Sequence, residues 1–297
     1  MPKRTDGSSH TTSWTEISTF RQCPHKHKLQ YFDRWKAPKL NKPLSIGILW
    51  HEILDCHYSG VRNTGDVTDP GKGALLQIVE LLNANDAKNP DDGKAHEIGA
   101  TCLRMYNGYR EWAKQVDLGW TIREVEVEFE VQLPNSEIVL VGRIDLVIEF
   151  RGHLWVIDHK AVRNLPNGKE LDLDDQTPLY IWAMRQFGYP VRGAILSHTR
   201  TQQLKRPMAP EERYSRDWIY RTSEEINTVV REATASINMA YHPEQAHERH
   251  PDPQMCKWRC PYLEPCIGGR KEPHLEVELL KGLGFTRPQP KLQIVET

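Results

Sequence analysis

Long apolar runs are missing. No stretch of the 297 residues approaches the roughly 18 consecutive apolar residues of a membrane span, and the N-terminal MPKRTDGSSHTTSW has no apolar core of a secretion signal. The chain is therefore expected in the cytoplasm, with no membrane partner. Excess charge is missing too: 39 Lys and Arg face 40 Asp and Glu, a net charge of −1. Contact with a polyanion must then use a local basic surface or a metal, because the overall field offers no attraction. Cysteine is sparse, and six thiols in a chain without a secretion signal argue against a disulfide framework. No internal repeat is present. The stretch GDVTDPGKG resembles a P-loop, but five residues separate Gly65 from Gly71 and Gly73 stands where Ser or Thr is needed, so nucleotide-driven motor activity is excluded. A zinc-protease motif fails as well, since His51 and His57 in HEILDCH are six apart where H-E-x-x-H requires four.

What is present reads as an α/β layered protein, long enough for one large domain or a core with a helical elaboration. Residues 1–12 form a polar tail expected to be disordered. Ser13, with Glu16 three residues on, makes a capping box for a helix through SWTEISTFRQCPHKHKLQYF. Further helices are expected at 45–57, 74–85 and 97–115, with a Gly/Asp/Pro-rich loop at 60–73. Residues 125–133 alternate as a strand, strands follow at 139–150 and 153–162, and then a helix at 174–187, a strand at 191–198 and a helix at 223–241. This divides the chain into a helical region (13–120), an α/β core (121–245) and a cysteine-bearing C-terminal segment (246–297).

The core of the argument is VGRIDLVIEFRGHLWVIDHKAV, residues 141–162. Two β-branched runs flank the turn FRGH, the signature of a β-hairpin. Asp158 and Lys160, two apart, point to one side of their strand, and antiparallel pairing brings Asp145 opposite Asp158 or one diagonal away. A plain Asp–Lys salt bridge would leave the second acid unexplained. Two carboxylates and an ammonium on one patch are tolerable when a divalent cation joins them. The acids Glu124, Glu126 and Glu128 alternate along their strand as a solvated face would, with one member able to reach the site; none is assigned. Cys256, Cys260 and Cys266 cluster in MCKWRCPYLEPC and, with the distant Cys23, make a four-ligand set tying the two ends of the chain together; Cys56 and Cys102 read as small core residues.

His51, Asp145 in GRID, Asp158-His159-Lys160 in IDHK, and Gln176 with Tyr180 in DDQTPLY follow in an order that resembles the PD-(D/E)XK nuclease superfamily, and within it the RecB-like exonuclease branch. The resemblance implies a restriction-endonuclease-like core, a mixed sheet flanked by helices. It implies a DNA nuclease of repair, recombination or DNA processing, acting as an exonuclease on single strands or ends, with any helicase or recombination partner a separate chain. Phosphodiester hydrolysis calls for Mg²⁺ or Mn²⁺. The resemblance assigns the ion to Asp145, Asp158, the His159 carbonyl and the His51 imidazole, gives Lys160 the attacking water, and sets Gln176 and Tyr180 beside the site. It also implies an iron–sulfur cluster, of the four-iron type, on Cys23, Cys256, Cys260 and Cys266. Three residues rather than the commoner two separate Cys256 from Cys260, and structural zinc on the same thiolates stays open. Also open are a catalytically idle nucleic-acid-binding subunit that keeps the fold, and a strand-guiding role for CPHKHKLQYFDRWKAPK, which reads equally as a solvated helix.

Overall fold

The computed structural model describes residues 10–38, 42–87, 93–242 and 244–287. The expected polar tail lies outside these as far as residue 9. Two compact units result, one built from Met1–Lys39, Pro134–Val139 and Glu232–Thr297, the other from Leu40–Leu133 and Leu140–Arg231.

In the first unit, the short strand β1 (Thr11–Thr12) leads into α1 (Trp14–Gln22), capped by the Ser13 hydroxyl, which accepts the Glu16 N–H at 3.3 Å. Only that half of the expected capping box is used. The Glu16 carboxylate is buried and accepts hydrogen bonds from Tyr241 (2.6 Å) and Thr12 (3.3 Å), with His27 Nε2 at 3.1 Å. The single helix read from the sequence is broken: Pro24 lacks an N–H and crowds the preceding turn. Cys23 therefore sits in extended backbone, and the chain restarts as α2 (Pro24–His27) and a π-helical turn, Lys28–Phe32.

The second unit opens with α3 (Lys42–Thr64), α4 (Gly71–Ala87) and α5 (Gly93–Val116), so the expected loop shrinks to 65–70. The strands are β2 (Thr121–Gln132), β3 (Val139–Phe150) and β4 (His153–Val162). Arg151 and Gly152 both have positive φ, 51° and 75°, as a two-residue type I′ hairpin turn requires. β3 and β4 are antiparallel. α6 (Gly168–Asp172) and α7 (Gln176–Gln186) then make the crossover that lets β5 (Val191–Arg200) run parallel to β4. β6 (Tyr214–Ile219) pairs antiparallel with β5 and β2 pairs with β3, giving a mixed sheet. β5 is almost wholly buried, so its apolar run serves both faces. The main core joins Trp50, Ile53 and Tyr58 of α3, Ile98, Met105 and Tyr109 of α5, and Leu146, Ile157 and Ile195 of the sheet.

α8 (Ser223–Ala240) buries Ile226, Val230, Ala233 and Ile237 at helical spacing. Back in the first unit come α9 (Pro253–Arg259), α10 (Leu263–Lys271) and α11 (Pro273–Gly282), and Leu280 of α11 joins Leu29, Trp35, Tyr262 and Phe285 in a second small core. Much of CPHKHKLQYFDRWKAPK is thus interior: His25, His27, Leu29 and Trp35 are buried.

Candidate active site

β3 and β4 part where the chemistry-bearing residues begin. Their pairing runs from Phe150 opposite His153 to Leu146 opposite Ile157. The next step would set Asp145 against Asp158, but the ladder stops there and β4 continues only beside β5, to Val162. In place of a main-chain bond, Asp145 Oδ2 accepts the His159 N–H at 2.7 Å, and its Oδ1 lies 3.2 Å from His51 Nδ1 on α3. Asp158 Oδ2 lies 2.8 Å from Lys160 Nζ, which also donates to Gln176 Oε1 at 2.8 Å. Gln176 and Tyr180, one turn apart on α7, line the same recess as both aspartates.

Among the described residues, one ligand atom each from His51, Asp145 and Glu126, one of the three alternating acids of β2, lie within 4.8 Å of one another. Asp158 stands outside this close trio, on Lys160. Glu126 gets there through its backbone. With φ at 54° it occupies the left-handed region that costs a non-glycine residue about 1–3 kcal/mol. The kink switches the strand's parity, so that Ile122 and Phe129, an odd seven positions apart, are both buried. Glu124 pairs with Arg62 instead, while Glu126 also meets Arg143 Nε at 2.9 Å.

The electrostatics separate these groups. Burial alone would raise Asp145, but the hydrogen bond and charge of His51 pull its carboxyl below the usual range. Burial holds Asp158 above that range despite Lys160, and Asp145 adds to the effect. Burial opposes charge on His51, yet Asp145 outweighs it and holds the imidazole above the ordinary histidine value. Glu126 is pushed up to about 7 by burial and by the Asp145 charge. Burial would lower Lys160 too, but Asp158 keeps its ammonium above the ordinary lysine value. Paired carboxylates with divergent pKa values in one recess mark a site built for a cation or for proton traffic.

His159 alternates away from Asp158 and Lys160, and its ring stacks on Tyr58 with centroids 5.5 Å apart. Burial holds this imidazole well below its usual pKa, hence neutral. Behind it lies a buried ion pair: Arg216 Nη2 donates to Asp117 (3.1 Å), Tyr58 (3.0 Å) and Tyr109 (2.7 Å), and the guanidinium lies over the Trp112 ring at 4.8 Å. Tyr58 is seven residues after His51, on the same face of α3, so the network braces the helix that presents His51 and the peptide that addresses Asp145. Arg216→Met should leave the Asp117 carboxylate buried without its partner and lower stability by about 3–5 kcal/mol in urea denaturation. Adding Asp117→Leu should recover most of that loss; a double variant no more stable than the single would contradict this account of the pair.

A Ser, a His and an Asp also meet between β5 and β6, but they form no hydrolytic triad. Ser215 Oγ (3.4 Å) and Asp217 Oδ2 (3.2 Å) both address Nδ1 of His198, so the ring does not bridge them.

In the first unit, Cys23, Cys256, Cys260 and Cys266 line one cavity of about 320 Å³, together with Lys26, Arg249 and Arg270. All four are free thiols, as are Cys56 and Cys102, which pack against the core of the other unit.

Residues 11–267 match the PD-(D/E)XK nuclease superfamily. No curated protein matches the chain. Among solved structures it is similar to the protein SSO0001, at 17% identity and a TM-score of 0.40 over 86% of this chain and 84% of that one. It is also similar to a predicted exonuclease from Eubacterium rectale, at 12% identity and a TM-score of 0.46 over 86% and 95% of the two chains. With a family match spanning most of its length and carboxylates, lysine and imidazole gathered where β3 and β4 part, the chain belongs to the PD-(D/E)XK nuclease superfamily.

Proposed function

We propose that the protein is a metal-dependent deoxyribonuclease of the RecB-like kind, an exonuclease that removes nucleotides from DNA ends or single strands in repair, recombination or DNA processing. The observation that carries this reading is the convergence of His51, Glu126 and Asp145 within 4.8 Å beside the Asp158–Lys160 pair. Their oxygens and single imidazole nitrogen fit a divalent cation such as Mg²⁺ or Mn²⁺, and the nitrogen favours Mn²⁺. His51, Asp145 and Asp158 would hold the ion with the His159 carbonyl, and Glu126 joins them as a further ligand. When bound, it supplies charge neutralisation at the phosphate and a more acidic water. Lys160, kept cationic by Asp158, orients the attacking water and stabilises the charge that develops on the phosphate. Gln176 fixes the Lys160 ammonium through their 2.8 Å hydrogen bond, and Tyr180 walls the recess.

The same reading places an iron–sulfur cluster on Cys23, Cys256, Cys260 and Cys266. The four thiols line one cavity, and Lys26, Arg249 and Arg270 on its wall, beside a single carboxylate, Asp252, suit the net negative charge of a thiolate-bound cluster.

Linear single-stranded DNA labelled at one end, digested beside a circular strand of the same sequence, tests the exonuclease assignment. Stepwise loss of label from the linear strand with the circle intact is expected; equal attack on the circle would make the enzyme an endonuclease. The pH dependence of metal binding is a second expected result. A protonated Glu126 does not ligate, and its pKa of about 7 is raised, so protons compete with the ion below that value. Mn²⁺ affinity should therefore rise from pH 6 to 8, with proton release seen by calorimetry in buffers of different ionisation enthalpy. Glu126→Gln should reduce the rise and leave the part contributed by His51, whose imidazole is also held above the ordinary histidine value; an unchanged slope in that variant would remove Glu126 from the ligand set.

A further inference from the structure

α3 carries two aliphatic side chains that the core does not use. Leu44 and Ile48 are 62% and 53% exposed. The face of α3 that packs inward is complete without them, since Ile46, Leu49, Trp50 and Ile53 are buried. Leu44, Ile48 and His51 stand at i, i+4 and i+7, one stripe along the helix. All three line a single cavity of about 490 Å³ with Glu126, Arg143 and Lys160. Among the described residues, its lining combines the charged Glu52, Asp55, Glu126, Arg143 and Lys160 and the His51 imidazole with the aliphatic Leu44 and Ile48.

We infer that Leu44 and Ile48 form a base subsite, holding an unstacked nucleobase next to the phosphate that is cut. The inference rests on the nuclease reading and adds a substrate contact to it. A phosphodiester held at the His51 end must carry its nucleosides along the remaining wall. The helical rise sets Ile48 about 4.5 Å and Leu44 about 10 Å from His51 along the axis, a span that meets the first bases beyond the phosphate, which lie about 3.4 Å apart when stacked. Leucine and isoleucine are side chains that intrude between base steps and unstack them, whereas Arg143 and Lys160 suit phosphate oxygens. A stripe of this kind reads no sequence, because every base offers an apolar face; it selects strands whose bases are already unpaired.

The test pairs a protein change with a substrate change. Initial rates are measured with Mn²⁺ for the wild type and the Leu44→Ala, Ile48→Ala double variant, on a single-stranded oligonucleotide intact or abasic at the nucleotides flanking the cut. Alanine preserves the helix. For the wild type, the abasic substrate should raise KM about tenfold with little change in kcat. The double variant should show that raised KM already on the intact strand, and no further penalty on the abasic one. Wild-type KM in the variant, or a full abasic penalty retained in it, would overturn the inference while the nuclease stands. An altered oligomeric state in size-exclusion chromatography with unchanged KM would do the same, by assigning the stripe to a second copy of the chain. Failure of the wild type to cut the intact strand would instead fell the nuclease reading, and the subsite with it.

Discussion

Asp158→Ala and Lys160→Ala should each lower the rate of DNA cleavage by about a thousandfold or more, with the fold intact. The size of the effect follows from what the two side chains do. Asp158 lines the recess where β4 has left β3, with Lys160 Nζ at 2.8 Å. Its burial beside Asp145 raises its pKa, a cost with no packing return. Removing it therefore relieves repulsion in the metal-free protein and takes away a ligand charge in the loaded one. Lys160 keeps Gln176 as a partner when Asp158 is lost, so no ammonium is stranded. Its own loss removes the cation that faces the attacking water, and Asp158, whose carboxyl burial and Asp145 already hold above the usual range, can take up a proton rather than stay charged and unpaired. Circular dichroism and thermal unfolding near the wild-type values, alongside lost cleavage, are the expected pair of results. Undiminished cleavage by either variant would remove that residue from the catalytic machinery.

The second large effect concerns the cysteines. If a four-iron cluster occupies the cavity they line, anaerobically purified protein should be brown, with broad absorption near roughly 400 nm and about four irons per chain. Cys23 lies more than two hundred residues before Cys256, so the cluster would close a very long loop. The small core of Leu29, Trp35, Tyr262, Leu280 and Phe285 is modest support for three short helices, and metal binding there would contribute directly to folding. Cys→Ser at any of the four should bleach the colour, reduce solubility and loosen the first unit, with cleavage falling only as the protein does. Cys56→Ser and Cys102→Ser should leave the colour unchanged, because both thiols pack against the other core. A colourless protein with one tightly bound zinc would replace the cluster by a structural zinc site, and thiols free of any metal after anaerobic preparation would refute both.

Where one signal dominates, the sequence is a good guide. The runs at 139–150 and 153–162 are strands at the expected bounds because apolar β-branched residues flank a turn whose Arg-Gly pair takes two positive φ values. His51, Asp145, Asp158, Lys160, Gln176 and Tyr180 were legible as a set from their order alone, and the structure gathers them around one strand separation. The misses have physical causes. β6 escapes periodicity because its YSRDWI buries an arginine, and an ion pair with Asp117, just past the end of α5, cannot be read from local pattern. Glu126 looked like one of three equivalent acids on a solvated face. It is distinguished only by a left-handed backbone step that reverses the facing of the strand, and nothing in REVEVEFEV announces which residue takes it. The helices after residue 253 are short and Pro-started, with too little apolar periodicity to register.

The central claim is that an ion held by His51, Glu126, Asp145 and Asp158 makes this chain a nuclease. The rate of digestion of end-labelled single-stranded DNA, measured as Mn²⁺ is titrated from none, in EDTA, to saturation, tests it most directly. The expected curve is nil in EDTA and saturable in Mn²⁺, and Asp145→Asn should move it to higher Mn²⁺ concentrations. Digestion that persists in EDTA, or an Asp145→Asn curve that overlays the wild type, would contradict the claim.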